Sequence, residues 1–320
     1  MFAVTATSTD PDDPLRGLTF GEHPEPEVPD DWVVVEVQAA SLNHHDVWTL
    51  RGVGVDPDRL PIVLGCDAAG VTADGVPVVV HAVVSPLDGT DETLCDARTI
   101  LSERYDGTFA ERVVVPRRNV LPLPASLGVE EAACLPVAWL TAYRMLFTRG
   151  ELRPGQRVLI QGAGGGVSTA ALQLAKAAGA HVTVSSRDAS RGERARGLGA
   201  DEVVEAGGRL TERVDVVIET VGQATWDHSL KSLRPGGVVV VAGATSGSEP
   251  PADLSRVFFR QLRVVGSTMG TREELARLLE FLAVTGVRPL IDDVVPLADA
   301  RGAFERMIAG DVFGKIVLTT

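Results

Sequence analysis

The sequence predicts an α/β chain of two domains, a mostly β unit followed by a doubly wound parallel sheet with covering helices. Three observations point there. From Asp31 to about residue 120, short β-branched runs are broken by turn residues. From Arg157 onward, short apolar strands alternate with Ala/Leu-rich helical stretches, the pattern of βαβ units. At the start of that second region a strand runs directly into a glycine cluster and then a helix. With 320 residues, 45% hydrophobic and 23% charged, the chain is long and apolar enough for two cores, which excludes disorder.

Taken in order, WVVVEVQAA, VPVVVHAVV and FAERVVVP read as strands of the first unit. The stretch PRRNVLPLPASLGVE, from Pro116 to Glu130, carries three prolines and leads into a first helix starting between Ser126 and Glu131. A domain boundary is expected there, giving a first domain over 1–122 and a second over 123–288. The strands of the second are RVLIQ, HVTVSS, VDVVIET, GVVVVAG and LRVVGS. After a break at Gly286 to Pro289, residues 289–320 return to strand, helix and strand, and periodicity alone does not fix which sheet they join.

Charge narrows the partners. Thirty Lys+Arg against 43 Asp+Glu leave a net charge of -13, so no overall positive field favours a nucleic-acid backbone or an anionic membrane. Cys66, Cys95 and Cys134 fit neither a disulfide framework nor a metal knuckle, as expected of a reducing cytoplasm. No basic-then-apolar leader and no apolar run of the roughly 20 residues needed for a membrane span is present, so a soluble intracellular protein is expected.

The strongest local signal is RVLIQGAGGGVSTAALQLAKAAGAHVTVSSRD, a strand, a glycine loop, a helix and a second strand. Glycines allow a sharp turn and close backbone approach to a pyrophosphate, whose charge meets the open amides at the start of the helix near Val167. The predicted dinucleotide contacts are Gly162, Ala163, Gly164, Gly165, Gly166 and Val167, although the spacing departs from a clean GxGxxG; a plain tight turn is the alternative. About 20 residues on, where NAD enzymes carry an acidic group for the ribose, the strand ends in Ser185, Ser186 and Arg187, with Arg191 one turn later. Hydroxyls and guanidinium groups suit the 2'-phosphate of NADP(H). Asp188 could oppose a phosphate, and both arginines could be ordinary surface charges.

The motifs SLNHHDVWTLRG, LPIVLGCDAAGV, GTFAERVVVP, EEAACLPVAWLTAYRML, QGAGGGVSTAALQLAKAAGA, LGAD and DVVIETVG, in that order, resemble the medium-chain dehydrogenase/reductase superfamily over nearly the whole chain. The closest likeness is to its zinc-independent, quinone oxidoreductase-like branch. The resemblance implies a GroES-like catalytic domain built from both chain ends, an inserted Rossmann domain, an active site in the cleft, and a homodimer joined through the edge strand Leu262 to Gly266. It also implies cofactor contacts at Thr141 and at Lys315 in FGKIVL, each with packing or a solvated position as the alternative. Gly243, Ala244 and Ser267 follow strands at their C-terminal ends, where open α/β sheets bind ligands, so they join the cofactor set.

Zinc members of the superfamily hold a catalytic metal with three protein ligands. Here those positions fall on Asn43, Cys66 and Val137, so two of the three ligands are lost and no metal is expected. A different site made of Cys66, Asp67, His44 and His45 is the alternative. Asn43 and Asp46 match an Asn-x-x-Asp pair that shapes the nicotinamide pocket in the resembling branch, and both residue types also cap helices. His45 stands at the proton-relay position of zinc enzymes, where an imidazole can donate near neutral pH or simply be a hydrogen-bonded pocket residue. Trp48 replaces a tyrosine and serves as an apolar wall or as core packing. The expected activity is metal-free reduction of a quinone or α,β-unsaturated carbonyl by NADPH, with a small-molecule substrate. The alternatives are an alcohol or aldehyde dehydrogenase with an unorthodox zinc site and a non-catalytic NADPH-binding redox sensor.

Overall fold

The computed structural model describes residues 1–86 and 91–320. The chain forms two compact units, one of Met1–Ala138 with Met269–Thr320 and one of Trp139–Thr268. The division differs from the expected 123–288, because the flanking segments pack with the first unit. The helix Val129–Ala133 lies on strands Trp32–Ser41 and Asp67–Thr72. On the other side, the buried His81 ring bonds the carbonyl of Gly270 at 2.9 Å, and Arg272 donates to the carbonyl of Arg118. The proline-rich stretch marks the end of a sheet and not the end of a domain.

The first unit is the expected GroES-like β structure. Its main sheet is built around the ten-residue strand Trp32–Ser41, whose Val35, Val37 and Ala40 side chains pack into the core. Asp67–Thr72 and Arg112–Pro116 pair with it antiparallel. The C-terminal strand Lys315–Thr319 also pairs with it, Val317 opposite Ser41, so the last residues do rejoin the first domain. The largest apolar cluster of this unit is made mainly of Val, Leu, Ile and Ala side chains, with Phe109 and Phe304 packed edge to face, and two smaller clusters lie beside it.

The second unit is an all-parallel six-stranded sheet in the order Glu202–Glu205, His181–Ser186, Arg157–Ile160, Val214–Glu219, Leu233–Val241, Arg263–Gly266. That order places the first strand, Arg157–Ile160, in the middle with the chain winding outward on both sides, as in a Rossmann fold. Five of the strands are those read from the sequence. Glu202–Glu205 was not, because four residues bounded by glutamates carry too little apolar signal. Among the described residues, no helix is long and apolar enough to cross a membrane.

Candidate active site

In the first unit, the expected residues Asn43 and Lys315 meet in one buried network whose centre is Asp67. Asp67 is fully buried at the start of its strand. One carboxylate oxygen accepts from Ser41 Oγ at 2.7 Å, Asn43 Nδ2 at 2.7 Å and Lys315 Nζ at 3.1 Å. The other accepts from the Val137 N–H at 2.8 Å. Lys315 also donates to the Leu42 carbonyl at 2.9 Å and to Asn43 Oδ1 at 2.7 Å. The three protons of the ammonium are matched by three acceptors inside the protein. Lys315 is therefore not the solvated strand-edge residue of the alternative reading, and its ammonium is held within this unit.

The same geometry changes the reading of Asn43. Its Nδ2 donates to the Ser41 carbonyl at 3.1 Å as well as to Asp67. Both amide protons are engaged, so Asn43 has none left for a substrate oxygen. Asp46 caps the helix His44–Leu50 by accepting from the Asn43 N–H at 2.8 Å, and it also accepts from the Gly65 N–H at 3.2 Å. Gly65 has φ +97°, and a Cβ there would lie 2.4 Å from the Phe109 ring, so only glycine brings this amide to the carboxylate.

Burial pushes the Asp46 carboxyl up to about 7, with the nearby Asp67 charge adding to the rise and the Asn43 amide opposing it. For a carboxyl raised in the folded state, the native form holds the proton at pH values where the unfolded chain has lost it. Its stabilising effect is complete below the ordinary value near 3.8 and is lost as pH rises through about 7. The stability of the wild type relative to Asp46→Asn should therefore decline between pH 4 and pH 7 in denaturant titrations at matched pH. A difference independent of pH would contradict the assignment.

His45 differs from these neighbours. It is half-buried, and neither ring nitrogen makes a hydrogen bond among the described residues; Nε2 is sealed from solvent 4.0 Å from Glu103 Oε1. Burial lowers its pKa while the Glu103 charge raises it. Trp48 is half-buried, with the Arg51 guanidinium 5.4 Å from its ring centre. Of the four expected catalytic side chains, Asn43 and Asp46 support the pocket, Trp48 forms apolar surface, and His45 keeps free donor capacity.

In the second unit, the strand Arg157–Ile160 ends in the glycine loop, with Gly162 and Gly164 at φ +82° and +102°. The helix Gly166–Ala177 begins one residue before the Val167 expected and has no side-chain cap on its first turn. Its first amides therefore lack internal partners, Gly165 lies exposed at the cap, and Ala163 and Val167 are half-buried. This uncapped, glycine-lined helix start fits a dinucleotide pyrophosphate. The Thr141 hydroxyl makes no side-chain hydrogen bond among the described residues. Ser267 Oγ is buried without a partner among the described residues, and after their strand Gly243 is half-buried and Ala244 exposed. All of these remain in the proposed cofactor set.

The two serines do not act as expected. Ser185 donates to Gln161 Oε1 at 2.5 Å and accepts from the Gly162 N–H at 3.2 Å, so it braces the glycine loop. Ser186 donates to the Asp188 carbonyl at 2.7 Å. With their protons engaged in the fold, neither hydroxyl serves as the phosphate donor that the sequence suggested. Asp188 is resolved too: its carboxylate caps the next helix by accepting from the Arg191 N–H at 3.1 Å. Arg187 is fully exposed beside it, which leaves its guanidinium as the charge at the strand end.

Comparison with known proteins matches residues 29–125 to the alcohol dehydrogenase GroES-like domain and 166–284 to the zinc-binding dehydrogenase family. An alcohol dehydrogenase of Geobacillus stearothermophilus is 30% identical over 95% of this chain and 96% of its own. The acryloyl-coenzyme A reductase of Metallosphaera sedula is 31% identical over 95% and 97%. The chain belongs to the medium-chain dehydrogenase/reductase superfamily. Among solved structures, an NAD-dependent alcohol dehydrogenase superposes with a TM-score of 0.92 at 35% identity, covering both chains completely. A 2-octenoyl-CoA carboxylase reductase in complex with NADP and 2-octenoyl-CoA gives 0.89 at 26% identity, covering 99% of this chain and 87% of that one. The protein is thus an oxidoreductase of this superfamily, whose cofactor is a pyridine nucleotide.

The family name makes zinc a question for the residues themselves. At the three ligand positions, Asn43 has its amide oxygen on the Lys315 ammonium, Val137 offers only a backbone N–H, and the Cys66 thiol donates to the Leu101 carbonyl at 3.1 Å. Burial and the Asp46 charge push the Cys66 thiol far above its ordinary pKa, away from the thiolate that binds zinc. This donor set does not fit the metal. Among the described residues, no group of three or more His, Cys, Asp or Glu side chains is placed to hold one, and this includes the combination of Cys66, Asp67, His44 and His45.

Ser41 and Glu103 were not singled out in the sequence, and Asp67 was named only in the alternative metal set; its role depends on Lys315, 248 positions away. Glu103 sits in an irregular loop and gave no periodic signal.

Proposed function

We propose that this protein is a zinc-independent, NADPH-dependent reductase of α,β-unsaturated carbonyl compounds, with quinones as alternative acceptors. The observation that carries the reading is the Asp67–Asn43–Lys315 network, which ties the side chain at one of the superfamily's metal-ligand positions, Asn43, to a buried ion pair, beside His45, whose ring nitrogens have no hydrogen-bond partner among the described residues. The enoyl-CoA reductase names among the relatives support the acceptor class, and the NADP of one structural neighbour supports the cofactor.

Gly162 to Val167 would hold the cofactor pyrophosphate, Thr141, Gly243, Ala244 and Ser267 its remainder, and Arg187, with Arg191, the 2'-phosphate. When bound, NADPH supplies a hydride to the β-carbon of the acceptor. The π electrons then move to the carbonyl oxygen, and the α-carbon must take up a proton. His45 would supply it and recover a proton from water. The Lys315 network keeps the floor of the site rigid and closed to water, so that orientation of the acceptor contributes much of the acceleration.

Initial rates of NADPH and NADH oxidation with a small enone and a simple 1,4-quinone test this. NADPH oxidation at least tenfold faster than NADH oxidation is expected, falling to parity in Arg187→Glu, where a charge-assisted contact of about 1.5–3 kcal/mol is reversed. Turnover of primary alcohols with neither acceptor reduced would favour the alcohol dehydrogenase reading that other relatives' names suggest.

The reading extends to a cytoplasmic homodimer. Three free cysteines suit a reducing compartment. Among the described residues the strand Arg263–Gly266 pairs on one side only, and Val264 on it is exposed, as are Phe258 and Phe259 a few residues earlier. An unprotected edge beside an apolar patch is a pairing surface. Light scattering should give twice the 33.8 kDa chain mass, and Val264→Lys should give a monomer. A monomeric wild type would remove the dimer from the account.

A further inference from the structure

His45 Nε2 is the feature of the first unit that its fold leaves unexplained. A buried polar atom without a partner is uncommon and calls for a physical reason. Glu103 lies 4.0 Å away, slightly too far for a hydrogen bond, and it is held firmly in place. Its second oxygen accepts from the Ile100 N–H at 2.9 Å and from Thr99 Oγ1 at 3.1 Å. The same loop is pinned by the Cys66 thiol on the Leu101 carbonyl and by the Leu101 N–H on the Ala82 carbonyl at 3.1 Å. Gly54 closes the gap from the other side. A methyl group there would lie 3.1 Å from Glu103 Oε1 and 3.9 Å from His45 Cε1, so a bare backbone brings the two side chains together.

From this geometry we infer that Glu103 is the positioning residue for His45, taking the Nε2 proton when the ring is charged and leaving Nδ1 to deliver the proton to the acceptor. The inference rests on the reductase reading for its chemistry, although the pairing itself does not. A small rotation of the ring closes the gap to a charge-assisted hydrogen bond, which the fixed carboxylate rewards only in the imidazolium form. The proton balance is simple. The imidazolium gives one proton to the substrate α-carbon, becomes neutral imidazole with its Nε2–H still facing Glu103, and is recharged at Nδ1 by water. Among the described residues Glu103 is the charge acting on the ring from another element; His44, Asp46 and Arg51 stand on its own helix or at its end. Burial works against the charged ring and Glu103 works for it.

The test is the His45 titration followed by NMR of histidine-labelled protein with NADP bound, in wild type and Glu103→Gln, beside the pH profile of kcat/KM for enone reduction. A carboxylate within 4–6 Å moves a pKa by roughly one unit or more, so Glu103→Gln should lower that of His45 by about this amount. The profile should lose rate with rising pH at a correspondingly lower pH, while activity at pH 5.5 recovers toward wild type. Thr99→Val, which removes one anchor of Glu103, should give a smaller shift in the same direction if Glu103→Gln folds poorly. An unchanged His45 titration in folded Glu103→Gln, or in Thr99→Val, would overturn the pairing. A lowered titration in a protein that reduces no acceptor would leave the pairing standing and remove the reductase reading.

Discussion

Replacing His45 with phenylalanine is expected to reduce kcat for enone reduction by about 10²–10⁴-fold, the range for loss of a positioned general acid. The reason is elimination by geometry. Asn43 has both amide protons engaged and Lys315 all three, Asp46 turns its oxygens to the Asn43 and Gly65 amides, and the ring nitrogens of His45 have no hydrogen-bond partner among the described residues. The binding of NADPH should be unchanged, because the loop from Gly162 to Val167 belongs to the other unit. In the wild type the rate should fall with increasing pH as the imidazolium is lost, with a midpoint below the ordinary histidine value of about 6.5, since burial lowers the His45 pKa more than Glu103 raises it. The variant should show a flat profile over the same range. Stopped-flow single-turnover rates check both points, and a variant within threefold of wild type would mean that water donates the proton directly.

Lys315→Met should be the most destabilising single change in the first unit. The pair with Asp67 is fully buried, and removing the ammonium leaves a carboxylate with no counter-charge in a site closed to water. Breaking such a pair costs about 3–5 kcal/mol. At roughly 2–4 °C per kcal/mol for a unit of this size, the melting temperature should drop by roughly 6–20 °C. The Asn43 amide also loses its fixed orientation, so activity at permissive temperature should suffer too. Adding Asp67→Leu should recover part of the stability, because a matched apolar pair removes the stranded charge. Calorimetry on the two variants checks this, and a shift under 2 °C for Lys315→Met would show that the ion pair contributes little.

The fold was largely legible in the chain because both periodicities are strong. Alternating β-branched runs and strand–glycine–helix repeats identify the two units without any contact information. The unit boundaries were less legible. The segments 123–138 and 269–288 are held to the first unit by long-range contacts such as His81 with Gly270, which no local pattern encodes. In the site, the residue types at 43, 45 and 46 were visible, but their roles depend on partners far away in sequence. Lys315 reaches Asn43 across 272 positions, and Glu103 reaches His45 from an irregular loop. The serines after the second Rossmann strand illustrate the same limit. Hydroxyls at that position suggest a phosphate contact, and only the structure reveals that Gln161 and the Asp188 carbonyl already take their protons.

The proposed reductase works without zinc, His45 supplying the proton while the buried Lys315–Asp67 pair holds the surrounding residues in place. The most direct measurement is the zinc content per chain of the purified protein, determined together with its NADPH-dependent enone reductase rate before and after exhaustive chelation. Full activity at less than a tenth of a zinc ion per chain is the predicted result. Activity that scales with zinc content, lost on chelation and restored by the metal, would contradict the account.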